Sequence, residues 1–391
     1  MQYSDDFFEE NLHRENSDCT KWTHYGRDVL PLWIADMDFR TAPEITDALV
    51  RRANEGCYGY AKESKQTVAA LVAYHRDVYG WDIDPDWVVP LPGIVTGLNL
   101  FCKLLHETRP DRDGVVINLP VYHHFMEAAA LQHCTQRTVR LNIGTPALPQ
   151  NDADIPAEGA AGWMLCNPQN PLGFCWQPDE LHRILRLAEQ YDFPVVSDEI
   201  HGGLVLDEPY TYHPLLNTLR KPEERQRTLA FLAPSKTFNL PGLGCAFAVI
   251  PNATYREFFT RDYGQMVPLI NIFGWVGAKA AYQHGEPWRL AMLRYLRGNR
   301  SLLQNAAAEW KLPLCKLNAT YLGFLDCRSL IPSLNGESPH AFFLRHGVAL
   351  NDGAMFGAPG WVRINIATRR ALLKQALERM GNAIASLTRR G

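Results

Sequence analysis

Short, continuously apolar runs alternate with segments of helical periodicity between residues 87 and 250. Residues 94–105, for example, carry apolar side chains at three- and four-residue spacing. Strands that are apolar on both faces and separated by amphipathic helices are typical of a mostly parallel sheet with helices on both faces. The sequence therefore predicts an α/β fold whose ligands collect at the carboxyl ends of the strands. The predicted strands include 115–117, 163–166, 195–197, 228–233 and 246–250.

The pattern changes after about residue 285. A long helical segment at 288–310 precedes short apolar runs near 321–326, 348–350 and 362–366, and a closing helix begins at about residue 370. This pattern predicts a smaller α+β unit, and a chain of 391 residues is long for a single core. We expect an N-terminal arm that forms part of the small domain (1–45), a large domain (46–285) and a small C-terminal domain (286–391).

Composition narrows the class of protein. The net charge of −3, without basic runs, provides no attraction to nucleic acid or to an anionic membrane. The acidic N-terminus does not resemble a signal peptide, and no apolar stretch approaches the roughly 20 residues of a membrane helix. Nine cysteines without C-x-x-C spacing indicate free thiols in a reducing compartment. We expect a cytoplasmic enzyme that binds neither nucleic acid nor membrane and holds no metal.

A single lysine, Lys236, follows the apolar run 228–233 in a short loop that ends at Pro241-Gly242. Burial at the end of a strand lowers the pKa of a lysine amine, which can then act as nucleophile and base. An isolated loop lysine is more often an exposed one. The interpretation of Lys236 therefore depends on the polar residues that follow the other strands.

Three such residues follow two neighbouring predicted strands. Asp198 ends a buried strand, where its carboxylate needs a cationic partner, or serves as a helix cap or in a salt bridge. Asn170 lies in a proline-rich turn, and its amide either donates to a ligand oxygen or only shapes the turn. His201, three residues beyond Asp198, could bond the same oxygen or be structural.

Three further candidates lie elsewhere in the chain. Tyr122 could stack on an aromatic ring or belong to the core. Gly93 precedes a helix whose free N–H groups could bind phosphate. Arg363 lies on an apolar strand, where its guanidinium requires either a substrate carboxylate or an internal acid. Together the candidates supply the groups that pyridoxal 5'-phosphate (PLP) needs.

The chain resembles the fold-type I PLP enzymes of the aminotransferase class I/II superfamily. The turn Asn167-Pro-Gln-Asn-Pro-Leu-Gly173, the strand Val196-Ser-Asp-Glu-Ile-His201 and Pro234-Ser-Lys236 match its motifs. Within the superfamily it is similar to the MalY/PatB-type C–S β-lyases. The stretches 34–39, 58–60, 198–201 and 236–241 carry this closer resemblance.

The resemblance implies a role for each candidate residue. Lys236 binds the cofactor aldehyde, Asp198 holds the ring nitrogen, and Arg363 binds the substrate α-carboxylate. The remaining contacts are Asn170 and His201 beside the ring oxygen, Tyr122 and Ile200 on the ring, and Gly93, Ile94 and Ser235 at the phosphate. Tyr60 would reach the cofactor phosphate in the active site of the neighbouring subunit, so a homodimer with shared active sites is expected.

Three positions depart from the superfamily pattern. Leu172 replaces a threonine of the Asn-Pro turn, and Ala233 stands where many relatives have serine. Gly244 lies eight residues past Lys236, where typical aminotransferases have a phosphate-binding arginine. The β-lyase-like group also lacks this arginine, so Gly244 favours the lyase branch.

The resemblance implies α,β-elimination from cystathionine or another cysteine S-conjugate, with thiol, pyruvate and ammonia as products. Freed Lys236 would remove the α-proton of this amino-acid substrate. The alternatives are an aminotransferase on the same scaffold, a PLP-binding protein with a regulatory role and a purely structural α/β protein. Either Tyr60 or Tyr122 could protonate the leaving sulfur.

Overall fold

The computed structural model describes residues 3–144, 146–207, 211–266 and 268–388. Its strands within these ranges are β1 (Leu30–Pro31), β2 (Val88–Leu91), β3 (Val115–Leu119), β4 (Gln136–Arg140), β5 (Gly162–Cys166), β6 (Val195–Asp198), β7 (Thr228–Leu232), β8 (Ala246–Val249), β9 (Leu322–Asp326), β10 (Val348–Ala349), β11 (Asn351–Asp352) and β12 (Trp361–Asn365). Its α-helices are α1 (Asp5–Glu9), α2 (Thr20–Thr23), α3 (Pro43–Asn54), α4 (Lys65–Tyr79), α5 (Ile94–Thr108), α6 (His124–Leu131), α7 (Pro178–Gln190), α8 (Ala253–Met266), α9 (Ile272–His284), α10 (Glu286–Glu309), α11 (Pro339–Arg345) and α12 (Arg370–Thr388).

Seven strands form the central sheet, in the order β2-β8-β7-β6-β5-β3-β4. Strand β8 is antiparallel to both of its neighbours, and all other neighbouring pairs are parallel. Strands β3, β5, β6 and β7 are buried along their whole length, as their continuous apolar sequences require. The predicted α/β fold with a mostly parallel sheet is confirmed.

Helices cover both faces of this sheet. Successive side chains of a strand point to opposite faces, and β3 shows the two environments. Val115 and Ile117 belong to one core cluster, which contains buried residues of α5, α6 and α8. Val116 belongs to a second cluster, which contains the apolar face of α7, including Leu181. None of the helices in the described ranges is long and apolar enough to cross a membrane.

Two smaller sheets involve the C-terminal part of the chain. Strands β11, β12 and β9 form an antiparallel sheet, and β1 pairs in parallel with β10. The N-terminal arm also packs on α10, because the buried ring of Phe8 lies 5.3 Å from that of Tyr295 and 6.0 Å from that of Trp288. The segment around Phe8 is therefore packed against the C-terminal third of the chain.

The sheet topology brings the predicted site residues to one edge. Because β2 and the five strands from β7 to β4 run in the same direction, the segments after their carboxyl ends lie together. Strand β12 approaches this edge from the smaller sheet through Arg363, which contacts Asn170. All nine cysteines are free thiols.

Candidate active site

A cavity of about 250 Å³ opens at the carboxyl edge of the central sheet. The structure places nine of the eleven predicted site residues in its wall. These residues are Gly93, Ile94, Tyr122, Asn170, Asp198, Ile200, His201, Ser235 and Lys236.

Lys236 is not an ordinary exposed lysine. Its side chain is partly buried in the cavity wall, and Nζ donates to the backbone oxygen of Ala35 at 2.6 Å. Burial lowers the pKa of the amine to about 8, although the nearby Asp36 carboxylate opposes this change. The amine can therefore lose its proton near neutral pH, which a general base requires.

Asp198 is a buried carboxylate, 4% exposed, whose Oδ1 accepts a hydrogen bond from the Ile200 amide at 3.1 Å. This contact resembles the helix cap that was one of the alternative roles of Asp198 in the sequence analysis. The other alternative, a salt bridge, is absent among the residues that the structure describes. Burial raises the pKa of Asp198 to about 7, and the charge of Lys236 only partly opposes this rise. A cationic ligand at Asp198 would stabilise its ionised form.

His201 lies beside Asp198 and is 2% exposed. Burial lowers its pKa to about 3, so the imidazole is neutral at physiological pH. Within the described ranges its Nδ1 has no hydrogen-bond partner. A buried polar atom without a partner is costly, so this nitrogen is suited to an oxygen or N–H group of a ligand.

Arg363 is 3% exposed and contacts two neutral amides. Nη1 donates to Asn170 Oδ1 at 3.1 Å, and Nη2 donates to Asn351 Oδ1 at 2.7 Å. The guanidinium carbon also lies 4.6 Å from the centre of the Phe356 ring. No carboxylate of the described chain pairs with Arg363, which argues against the internal salt bridge left open above. Burial lowers its pKa to about 10, and the guanidinium remains available to an external carboxylate.

These features fit PLP. Asp198 would hold the ring nitrogen, and Lys236 is the amine that the aldehyde requires. The helix α5 begins at Ile94 after Gly93, at the point where its N–H groups are free for an anion. A Cβ added at Gly93 would meet no atom within 4 Å, so there is room for a phosphate above this turn.

Tyr60 lies outside this arrangement. It is fully exposed in the segment between α3 and α4 and does not line the cavity. The neighbouring Tyr58 is 61% exposed, and its ring lies 5.9 Å from that of Phe273. The role of Tyr60 in a neighbouring subunit therefore stays a prediction.

Sequence reasoning missed several groups in the site. The Ala35 carbonyl accepts from Lys236 and also from the Tyr321 hydroxyl at 3.1 Å. Asn351, which holds Arg363, lies opposite it in the β11–β12 register. The stretch Ile34–Phe39 carries part of the family resemblance, but a backbone acceptor leaves no signal in the side chains. The sequence signal that could have identified Asn351 as a site residue is its position directly after the apolar run 348–350.

Comparisons with known proteins identify the family of the chain. The family model "Aminotransferase class I and II" matches residues 27–380. Cystathionine beta-lyase PatB of Bacillus subtilis is 29% identical, over 97% of this chain and all of PatB. The chain in the crystal structure of OvoB has 35% sequence identity to this chain and a TM-score of 0.89, and the match covers 97% of this chain and 99% of the OvoB chain. The PLP-bound C–S lyase of Staphylococcus hominis is 25% identical with a TM-score of 0.88, over 98% of both chains.

Proposed function

Because the chain belongs to the aminotransferase class I and II family, we propose that it is a PLP-dependent carbon–sulfur β-lyase. Its substrate is cystathionine or another cysteine S-conjugate, and its products are a thiol, pyruvate and ammonia. The observation that carries the proposal is the cavity that contains both Lys236 and the buried carboxylate of Asp198, which forms no salt bridge within the described part of the chain. The full-length similarity to PatB and to the Staphylococcus hominis C–S lyase supports the choice of reaction.

When bound, PLP supplies an aldehyde that captures the substrate amine and a ring that accepts electrons. The protein's contribution is to hold this group and keep its nitrogen protonated. Asp198 would do so through its charge, and Asn170 and His201 would hold the ring oxygen. Tyr122 and Ile200 would pack on the ring. Gly93, Ile94 and Ser235, which also line the cavity, would hold the phosphate.

Lys236 acts as the base that removes the α-proton. Its lowered pKa of about 8 allows the amine to accept and release a proton within the same pH range. Arg363 binds the α-carboxylate in a bidentate manner, and its amide partners Asn170 and Asn351 fix the plane of the guanidinium. The substrate is thereby held with its α-carbon near Lys236.

Gly244 supports elimination rather than transamination. Its φ of 57° lies in the left-handed region that favours glycine, and it lines the cavity. A phosphate-binding arginine at this position, as typical aminotransferases have, would adopt a strained backbone. The phosphate charge would be met instead by N–H groups, hydroxyls and the dipole of α5.

The functional unit in this proposal is a cytoplasmic homodimer in which Tyr60 enters the partner's active site. The exposure of Tyr58 and Tyr60 supports the homodimer. The lack of C-x-x-C spacing among the nine cysteines supports the cytoplasmic location. We further propose the division into an arm (1–45), a large PLP-binding domain (46–285) and a small domain (286–391).

The test compares Lys236→Ala with the control Lys221→Ala. Lys221 pairs with Glu189 in an exposed salt bridge away from the cavity. Lys236→Ala should lose both the absorbance of covalently held cofactor and the release of pyruvate from cysteine S-conjugates, whereas the control should keep both. A Lys236→Ala protein that remains coloured and active would refute the assignment.

A further inference from the structure

Five consecutive backbone carbonyls, from Trp33 to Met37, accept hydrogen bonds from side chains of distant segments; we call residues 33–37 the carbonyl segment. The donors are Arg363 to Trp33 (3.4 Å), Asn365 to Ile34 (2.7 Å), Lys236 (2.6 Å) and Tyr321 (3.1 Å) to Ala35, Asn365 (2.7 Å) and Lys21 (3.1 Å) to Asp36, and Arg14 (2.8 Å) and Asn239 (3.1 Å) to Met37.

The carbonyl segment contacts both cationic groups of the proposed reaction. Ala35 accepts from the Lys236 amine, and Trp33, two residues earlier, accepts from the Arg363 guanidinium. A shift of this backbone would therefore move the base and the carboxylate anchor together. Small displacements of positioned groups are costly to catalysis because the reaction depends on their alignment.

A buried ionic cluster fixes the other end of the segment. Lys21, whose side chain is fully buried, contacts Asp38 Oδ2 at 2.8 Å. Arg14 contacts Asp38 Oδ1 at 2.7 Å and Asp36 Oδ2 at 2.9 Å. Trp22 Nε1 also donates to Asp38 Oδ1 at 2.8 Å. Burial alone would raise the pKa of Asp38, but the charges of Lys21 and Arg14 outweigh it and hold that pKa below its usual range.

A buried ion pair contributes little net stability, because desolvation offsets the attraction between its charges. The position of this cluster indicates a different contribution. Both cations also donate to carbonyls of the segment, Lys21 to Asp36 and Arg14 to Met37. Within the N-terminal arm, the cluster therefore connects Arg14 and Lys21 directly to the backbone that contacts Lys236.

We propose that Arg14 and Lys21 are positioning residues, which fix the carbonyl segment so that Ala35 presents its oxygen to the Lys236 amine and Trp33 orients Arg363. The inference rests on the proposed function for its catalytic consequence. When Lys236 has taken the α-proton, the Ala35 carbonyl is the acceptor on which the resulting ammonium group docks. The N-terminal arm thus belongs to the proton-transfer machinery without touching the substrate.

The test uses the double variant Lys21→Met/Asp38→Asn, which removes the ion pair and leaves the net charge unchanged. Its control is Lys221→Met, the same lysine substitution in an exposed pair. In cofactor-free protein, competitive acetylation followed by mass spectrometry gives the pKa of Lys236. Amide hydrogen exchange reports on Met37 and Asp38, whose N–H groups bond to Asn239 Oδ1 and the Ala367 oxygen.

We expect the double variant to exchange these amides about tenfold faster, since a charge-assisted hydrogen bond to the segment is lost. The pKa of Lys236 should fall, because its ammonium form loses a well-placed acceptor. In the PLP-loaded enzyme kcat should fall about tenfold or more, with the unfolding temperature little changed. Values equal to those of the wild type for exchange, Lys236 pKa and kcat would overturn the proposal.

If the double variant does not fold, Arg14→Gln replaces it, because the Arg14 side chain is 21% exposed and tolerates substitution better. The same directions are expected, and wild-type values would again overturn the proposal. The acetylation and exchange measurements do not depend on enzymatic turnover. If the variants change the exchange rates and the Lys236 pKa as expected, but the wild type does not cleave cysteine S-conjugates, the proposed function is refuted and the positioning role is not.

Discussion

Asp198→Asn replaces the buried carboxylate with an amide of the same size. The asparagine oxygen can still accept a hydrogen bond from the Ile200 amide, which donates to Asp198 Oδ1 at 3.1 Å in the wild type. The amide cannot carry the charge that would keep a ring nitrogen protonated. The substitution therefore removes the electrostatic contribution of Asp198 and leaves its shape and local hydrogen bond in place.

The expected loss follows from the burial of this group. Removing one partner of a buried ion pair costs about 3–5 kcal/mol, or roughly 10²–10⁴-fold at 1.36 kcal/mol per tenfold change. Burial already raises the pKa of Asp198 from 3.8 to about 7 in the absence of a cation, and the asparagine variant avoids this desolvation penalty. We therefore expect the lower end of the range, a loss of about 10²-fold in turnover at saturating PLP, with weaker PLP binding.

Absorbance titration gives PLP affinity, and pyruvate release gives turnover. The matched control is Glu199→Gln. Glu199 is adjacent to Asp198 and 3% exposed, and burial raises its pKa to about 7. Its carboxylate accepts hydrogen bonds from the Tyr212 hydroxyl and the Leu215 amide and does not line the cavity. The control should keep PLP affinity and turnover. An Asp198→Asn variant within tenfold of the wild type, or an equal loss in the control, would refute the reasoning.

Three further predictions follow from the same contacts. Arg363→Lys should raise KM for the amino acid about 10–100-fold in steady-state kinetics, because lysine cannot form the bidentate pair with a carboxylate; an unchanged KM would contradict this. Between pH 4 and about 7 the free energy of unfolding of the cofactor-free wild type should fall relative to that of Asp198→Asn, because folded Asp198 keeps its proton to a higher pH than the unfolded chain does; a difference between the two proteins that stays constant with pH in chemical denaturation would count against the assigned burial. Gly244→Ala should lower the free energy of unfolding by about 1 kcal/mol because of the positive φ, and a neutral effect in urea denaturation would argue against that backbone conformation.

The sequence predicted the sheet and the edge where the site lies because both depend on local patterns. Continuous apolar runs identified the buried strands. Asp198 ends β6, and Lys236 follows its neighbour β7. Parallel neighbours have their carboxyl ends at one edge, so the sequence alone predicts that the two residues lie close together. The same reasoning placed Tyr122 and Asn170 in the cavity wall.

The contacts of the N-terminal arm could not be predicted in this way. Ala35 meets Lys236 across 201 positions of sequence through a carbonyl oxygen, a group that every residue has. The pairing of Lys21 with Asp38 depends on how the arm packs, and charges near the N-terminus are more often solvated. Tyr60 differs from these residues, because its role in a neighbouring subunit was predicted from the resemblance and its side chain is fully exposed in the structure.

The most direct test of the central claim is the product formed from cysteine S-conjugates, including cystathionine, by the PLP-loaded enzyme without any keto-acid acceptor. The β-lyase account predicts continuous release of pyruvate and thiol in equal amounts under this condition. Turnover that stops after a single cycle and resumes only when a keto acid is added, with transfer of the amino group to that acceptor, would contradict it.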